Sequence, residues 1–171
     1  MSIRTVAKAM IVHNNKILLN KNKNTLGDLA WGLPNGAIYY DLPGGGQNKY
    51  ETIEEAIHRE ILEETGYSII IDRLAAIYED IIICDETKMD EPLRQLYQRH
   101  SHKIHFIYLC HLANETAQSS SEVDVDMLCS EWVDVANIEN IPLYPQPIHT
   151  NFDLILSSQS TISLGSNRIS L

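Results

Sequence analysis

The stretch LPGGGQNKYETIEEAIHREILEETGY, residues 42–67, decides the fold. Pro43 and three consecutive glycines, Gly44, Gly45 and Gly46, end whatever strand precedes them, and from Thr52 to Thr65 the apolar residues recur with helical period. Thr52 with Glu55 three positions later is a capping box, which fixes the start of the helix, and Gly66 supplies the left-handed residue just past its end. Glu60, Glu63 and Glu64 stand at i, i+3 and i+4, so their side chains share one face within a single turn. At roughly 100° per residue, Ile53, Ala56 and Ile57 fall on that same face. The apolar stripe that seats the helix therefore runs on into the three carboxylates, which are aimed at a sheet and its cleft. His58 projects from the other side and reads as a surface residue.

Such a constellation repels itself. Each carboxylate pair about 6 Å apart costs roughly 3 kcal/mol at an effective dielectric near 20, and Arg59 is the compensating charge nearest in sequence. A bound cation resolves the conflict. All-oxygen donors with no neighbouring Cys or His select a hard ion, Mg²⁺ or its substitute Mn²⁺, over zinc. A glycine-rich turn ahead of a helix also brings backbone N–H groups and a carbonyl close to a phosphate or a metal.

Working outward, residues 6–19 read as a hairpin around Asn14-Asn15, followed by a loop over 21–37 and a short strand at 38–42. Beyond the helix, strands are expected at 67–71, 75–84, 103–112 and 131–135, separated by polar connections at 85–102 and 113–130. A helical turn at 137–140 and a helix at 145–157 follow. Residues 1–156 read as one domain and 157–171 as a Ser-rich, frayed tail.

The formal net charge of −10 argues against a basic footprint for duplex nucleic acid, while a small phosphorylated ligand is compatible with a local patch or a bound cation. Cys84, Cys110 and Cys129 have no CxxC spacing and read as buried free thiols. The first twelve residues, interrupted by Arg4 and Lys8, do not form a secretory signal, and no apolar run reaches membrane-spanning length, so the cytoplasm is the expected location.

At this point the residues match a family pattern. Gly45, five residues, Glu51, seven residues, then Arg59-Glu60-Ile61-Leu62-Glu63-Glu64-Thr65-Gly66-Tyr67 resembles the Nudix box, Gly-x5-Glu-x7-Arg-Glu-U-x-Glu-Glu-x-Gly-U, with U a bulky aliphatic. Every specified polar and glycine position is filled; Tyr67 replaces the usual aliphatic at a position that packs rather than reacts. Glu131-Trp132-Val133 and the order of strands fit the family over residues 3–145. The resemblance implies an α/β fold, an α/β/α sandwich with a mixed β-sheet, and a pyrophosphohydrolase. It implies that Glu60, Glu63 and Glu64 with the carbonyl of Gly44 bind the metal, and that Glu51 and Arg59 form a structural pair. A further acid comes from the loop before the Trp-containing strand; Asp126 is the candidate here, ahead of Asp124 and Glu122.

The implied chemistry is attack of water on phosphorus in a diphosphate bridge, with the proton taken by Glu63, Glu60 or the loop acid, of which Glu63 is preferred and Arg59 sits beside it. The substrate is expected to be a nucleotide sugar such as ADP-ribose, a dinucleoside polyphosphate or a nucleoside triphosphate. Gly45 and Gly46 would meet its phosphates and Trp31 would stack its base. Tyr39, Tyr40, Tyr78, Tyr97 and Tyr108 read as packing residues, and Arg94, Arg99 and Lys103 as solvated surface. Residues 27–42 offer a lid, a dimer contact or a specificity loop, so a homodimer stays open. A non-catalytic nucleotide sensor and an RNA-end hydrolase are the competing readings.

Overall fold

The computed structural model describes residues 3–25, 32–118 and 126–170. Strand β1 (Arg4–His13) turns into β2 (Lys16–Lys23) through Asn14 and Asn15, both at positive φ (49° and 61°), as a two-residue primed hairpin turn requires. β3 (Ile38–Asp41) and β6 (Met127–Asp134) flank β2, each antiparallel to it. On its other side β1 runs parallel to β5 (His102–Leu112), β5 antiparallel to β4 (Ile69–Ile83), and β4 parallel to β7 (Ile162–Ser170). The sheet order is thus β3-β2-β1-β5-β4-β7 with β6 joined to β2, a mixed sheet as expected.

Side chains alternate across β1, and the two sets seat different helices. Ala7, Ala9 and Ile11, with Tyr108 and Cys110 of β5, pack against Ala56, Ile57 and Ile61 of helix α1 (Ile53–Thr65). Met10, with Ala76, Tyr78 and Ile107, packs on the opposite face against Ile148 of α3 (Gln146–Thr150) and Phe152 and Ile155 of α4 (Phe152–Ser157). Helix α2 (Glu91–His100) lies between β4 and β5 in sequence and buries Tyr97, whose hydroxyl donates to the Ile82 carbonyl at 3.0 Å. Among the described residues no helix is long and apolar enough to cross a membrane.

Five expectations are corrected. The strands at 67–71 and 75–84 are one strand, β4; register shifts between Ile71 and Arg73 and between Leu74 and Ala76 absorb the polar residues that interrupt its pattern. The connection at 85–102 contains α2, capped by Asp90, whose carboxylate accepts from the Leu93 N–H at 3.1 Å. The helix at 145–157 is two short helices that break at Asn151. The tail at 157–171 carries β7, because Ile162 and Leu164 pack against the core and the chain hydrogen-bonds along the open edge of β4. Of the cysteines, all free, Cys110 is buried, Cys84 is half-buried and Cys129 is exposed, contrary to the expected burial of all three.

Candidate active site

The glycine turn is hydrogen-bonded flat onto β1: the Ala7 N–H donates to the Gly45 carbonyl (2.9 Å) and the Ala9 N–H to the Pro43 carbonyl (2.9 Å). This approach leaves no room for side chains. Gly44 lies at φ 123°, and a Cβ there would overlap the Ala7 carbonyl; a Cβ on Gly45 would overlap the Glu60 carboxylate. The two glycines thus bring backbone, strand and helix carboxylate into contact.

Helix α1 starts where the capping box places it. The Thr52 hydroxyl accepts from the Glu55 N–H (3.1 Å), the Glu55 carboxylate accepts from the Thr52 N–H (2.7 Å), and Gly66 closes the helix at φ 73°. Arg59 then organises the charges around it. Its guanidinium grips Glu51 with two hydrogen bonds (2.7 and 2.9 Å), reaches the Gly46 carbonyl (3.1 Å), and spans Glu60 (2.7 Å) and Glu63 (3.0 Å). The bidentate hydrogen bonds from Arg59 hold the Glu51 carboxyl below its ordinary range.

Glu64 takes a different course. It is 8% exposed, and its Oε2 accepts from the Asn20 amide and from the Gly44 N–H, both at 2.8 Å. Ser130 donates to Asn20 Oδ1 (2.7 Å) and so sets the amide's orientation. Burial pushes the Glu64 carboxyl up to about 7, against the opposing pull of the Lys8 ammonium. Lys8, from β1, donates to Asp41 Oδ2 (2.8 Å) and to the Gly44 carbonyl (2.7 Å), and Asp41 Oδ1 accepts from Asn22 (2.9 Å). Burial works to lower the Lys8 ammonium, but Asp41 and Glu64 outweigh it and hold it above its ordinary range. Sequence reasoning missed Lys8, Asp41, Asn20 and Asn22. Lys8 interrupts an apolar strand, but nothing local pairs it with Asp41, and Asn20 and Asn22 lie in a polar run.

The repulsion expected among the three glutamates is therefore met partly from within, by Arg59 for Glu60 and Glu63 and by Lys8 for Glu64. Among the described residues no three His, Cys, Asp or Glu side chains converge into a ready-made metal cage. The donors nevertheless suit a hard cation. All are oxygens, Gly45 leaves space beside the Glu60 carboxylate that a Cβ would fill, and the Gly44 carbonyl has a second lone pair beyond the one Lys8 uses.

Glu64, Gly44, Gly45 and Gly46 border a cleft of about 530 Å³, and Asp126 borders it too, its carboxylate accepting from the Thr25 hydroxyl. Trp31, Asp124 and Glu122 lie outside the described residues. Tyr39 lines the cleft, whereas Tyr78 and Tyr108 pack in the core and Tyr67 packs edge-on against Trp132 with ring centroids 5.9 Å apart. His58 is exposed as expected. Arg94 ties α2 to the preceding segment through the Met89 carbonyl (2.9 Å) and the Glu86 carbonyl (3.3 Å). Arg99 and Lys103 are not simple surface residues, because both line the cleft.

With this geometry described, comparison places the chain. The family model for the NUDIX domain matches residues 3–152, so the chain belongs to the Nudix hydrolase family. A NUDIX hydrolase from Nitrosomonas europaea superposes with a TM-score of 0.63 at 18% identity, covering 89% of this chain and 87% of that one. An ADP-ribose pyrophosphatase from Streptococcus suis gives a TM-score of 0.58 at 21% identity, covering 94% and 98%. A MutT NUDIX hydrolase from Burkholderia pseudomallei gives 0.55 at 23%, covering 94% and 100%. No curated protein sequence matches the chain.

Proposed function

We propose that this chain is a divalent-metal-dependent pyrophosphohydrolase that cleaves a nucleoside diphosphate linked to a further group. The carrying observation is that Glu60, Glu63 and Glu64 share one face of α1, with Glu64 bordering the cleft and no room for a side chain on Gly45 beside the Glu60 carboxylate. Mg²⁺, or Mn²⁺ in its place, would be held by these carboxylates and the Gly44 carbonyl, with Asp126 contributing from the loop before β6. When bound, the ion neutralises non-bridging phosphate oxygens and acidifies the attacking water.

The chain's own groups divide the remaining work. Glu64 is the most buried of the three and is anchored by two N–H donors, so it serves as a fixed ligand. Glu60 and Glu63 each pair with Arg59, and Glu63 is the more open, its side chain 29% exposed against 17% for Glu60. Glu63 therefore takes the proton from water, and Arg59 orients it. The backbone of Gly45 and Gly46 meets the phosphates, and Trp31 stacks the base. Neighbours named as an ADP-ribose pyrophosphatase and as a UDP-X diphosphatase support a nucleotide-sugar substrate.

The test is nucleotide release from a panel of nucleoside diphosphate derivatives, with Mg²⁺ or Mn²⁺ and with chelator. Release that needs the metal, and that falls about 10²–10⁴-fold in Glu63→Gln with the melting temperature unchanged, is expected. Metal binding with no turnover of any derivative would replace this reading by a nucleotide sensor; normal turnover in Glu63→Gln would move the base elsewhere.

A further inference from the structure

The other end of the cleft is basic. Four of the chain's 13 Lys and Arg residues border this one cavity in a molecule of net charge −10: Lys8 is held at the carboxylate end by Asp41, Arg4 lies against Gly46, and Arg99 and Lys103 stand with His100 and His105. The strand register explains how. β1 and β5 run parallel with Arg4 beside Lys103, Val6 beside His105 and Lys8 beside Ile107, so period-two alternation sends Arg4, Lys8, Lys103 and His105 to one face. The last turn of α2 adds Arg99 and His100 from above.

These groups crowd one another. Burial and the charges of Lys103, Arg4 and Arg99 push the His100 imidazole down to about 3, and burial with Lys8 and Arg4 pushes the Lys103 ammonium down to about 8 although Asp80 opposes. The second observation is independent of charge. His105 is 2% exposed and lines the cleft, yet among the described residues neither of its ring nitrogens has a hydrogen-bond partner. An unpaired buried imidazole destabilises a fold, and an apolar residue in its place would not. Asp41, Glu64 and Asp126 also border the cavity, but the part of its lining formed by Arg99, Lys103 and His105, an imidazole with no hydrogen-bond partner among the described residues, suits an anion with several acceptor oxygens.

We propose that this basic end is a second phosphate subsite, which takes a phosphoryl group beyond the diphosphate that is cleaved. Resting on the hydrolase reading above, this makes the preferred substrate a nucleoside diphosphate whose attached group carries phosphate of its own. That phosphate is either an ester on a sugar or a further unit of a polyphosphate chain; the chemistry recognised is the same.

Two measurements test it. In chelator, calorimetric binding of inorganic tripolyphosphate to the wild type is expected to weaken at least 10-fold in Arg99→Gln, Lys103→Gln and His105→Leu. His105→Leu is expected to melt no lower than wild type while losing the anion, which a merely structural histidine would not do. With metal, kcat/KM is compared for a nucleoside diphosphate sugar, the same compound phosphorylated on the sugar, and a nucleoside triphosphate. A preference for either phosphorylated compound that Arg99→Gln removes, leaving the plain sugar's kcat/KM unchanged, supports the subsite and identifies the source of the phosphate. Equal tripolyphosphate binding by wild type and variants, or equal loss on all three compounds, overturns it. Tripolyphosphate binding with no hydrolysis of any compound would leave the subsite standing and remove the hydrolase reading instead.

Discussion

Helices α1 and α2 both deliver charge to the cleft, but only α1 neutralises its own. Arg59 satisfies Glu51, Glu60 and Glu63 within 3.0 Å, and Lys8 and Asn20 reach across from the strands to the surroundings of Glu64. Arg99 and His100 stand in the last turn of α2, where the negative end of the helix favours the Arg99 charge. Among the described residues, however, neither makes an ion pair with a carboxylate. The α1 end is thus assembled before any ligand arrives, as positioning of a reactive water demands. The α2 end keeps its charge available, as capture of an anion demands. At neutral pH, stability should therefore depend on the charges at the first end and hardly at all on those at the second.

The largest expected break of this contrast is Lys8→Met. It leaves Asp41 and Glu64 buried without their counter-charge and should cost about 3–5 kcal/mol in denaturant unfolding; a loss under 1 kcal/mol would show that the cluster is neutral as folded. Next is acid. The His100 imidazole titrates near 3 in the folded chain and near 6.5 when unfolded, and His105 is likewise depressed by burial, so below pH 6.5 the unfolded state takes up protons that the folded state refuses. Stability should fall as pH drops from 6.5 toward 3, most steeply below about 4.5, because above that the raised Glu64 carboxyl takes up its proton on the folded side and offsets part of the loss; His105→Leu should flatten the slope in melting curves. Smaller is Thr52→Ala, which removes one side of the capping box and should cost about 1 kcal/mol. Arg99→Gln should be smallest, within about 0.5 kcal/mol of wild type.

The same contrast explains what could be read in the sequence. The turn, the helix and the glutamates at 60, 63 and 64 follow from local rules: a glycine triplet, a capping box, i, i+3, i+4 spacing and a Gly cap, all inside 25 residues or so. Arg59 was legible as a counter-charge because it is adjacent in sequence. Lys8 and Asp41 were not, since their meeting depends on β1 and β3 folding around one cleft, and no local spacing encodes a partner 33 positions away. The basic end was harder still. Arg4, Lys103 and His105 converge only through the parallel register of β1 and β5, and α2 shows just Leu93, Leu96 and Tyr97 as an apolar seam in an otherwise polar segment. β7 was hidden by its serines, because an edge strand alternates too weakly to announce itself.

That edge strand bears on how the protein can be trimmed. The NUDIX match ends at residue 152, and a chain cut there would also lose residues 162–170. The Ile81-Ile82-Ile83 end of β4 would then present bare N–H and C=O groups between branched apolar side chains, the template on which strands of separate molecules add to one another. β7 is thus a gatekeeper of solubility, and a boundary drawn from the family alone would remove it.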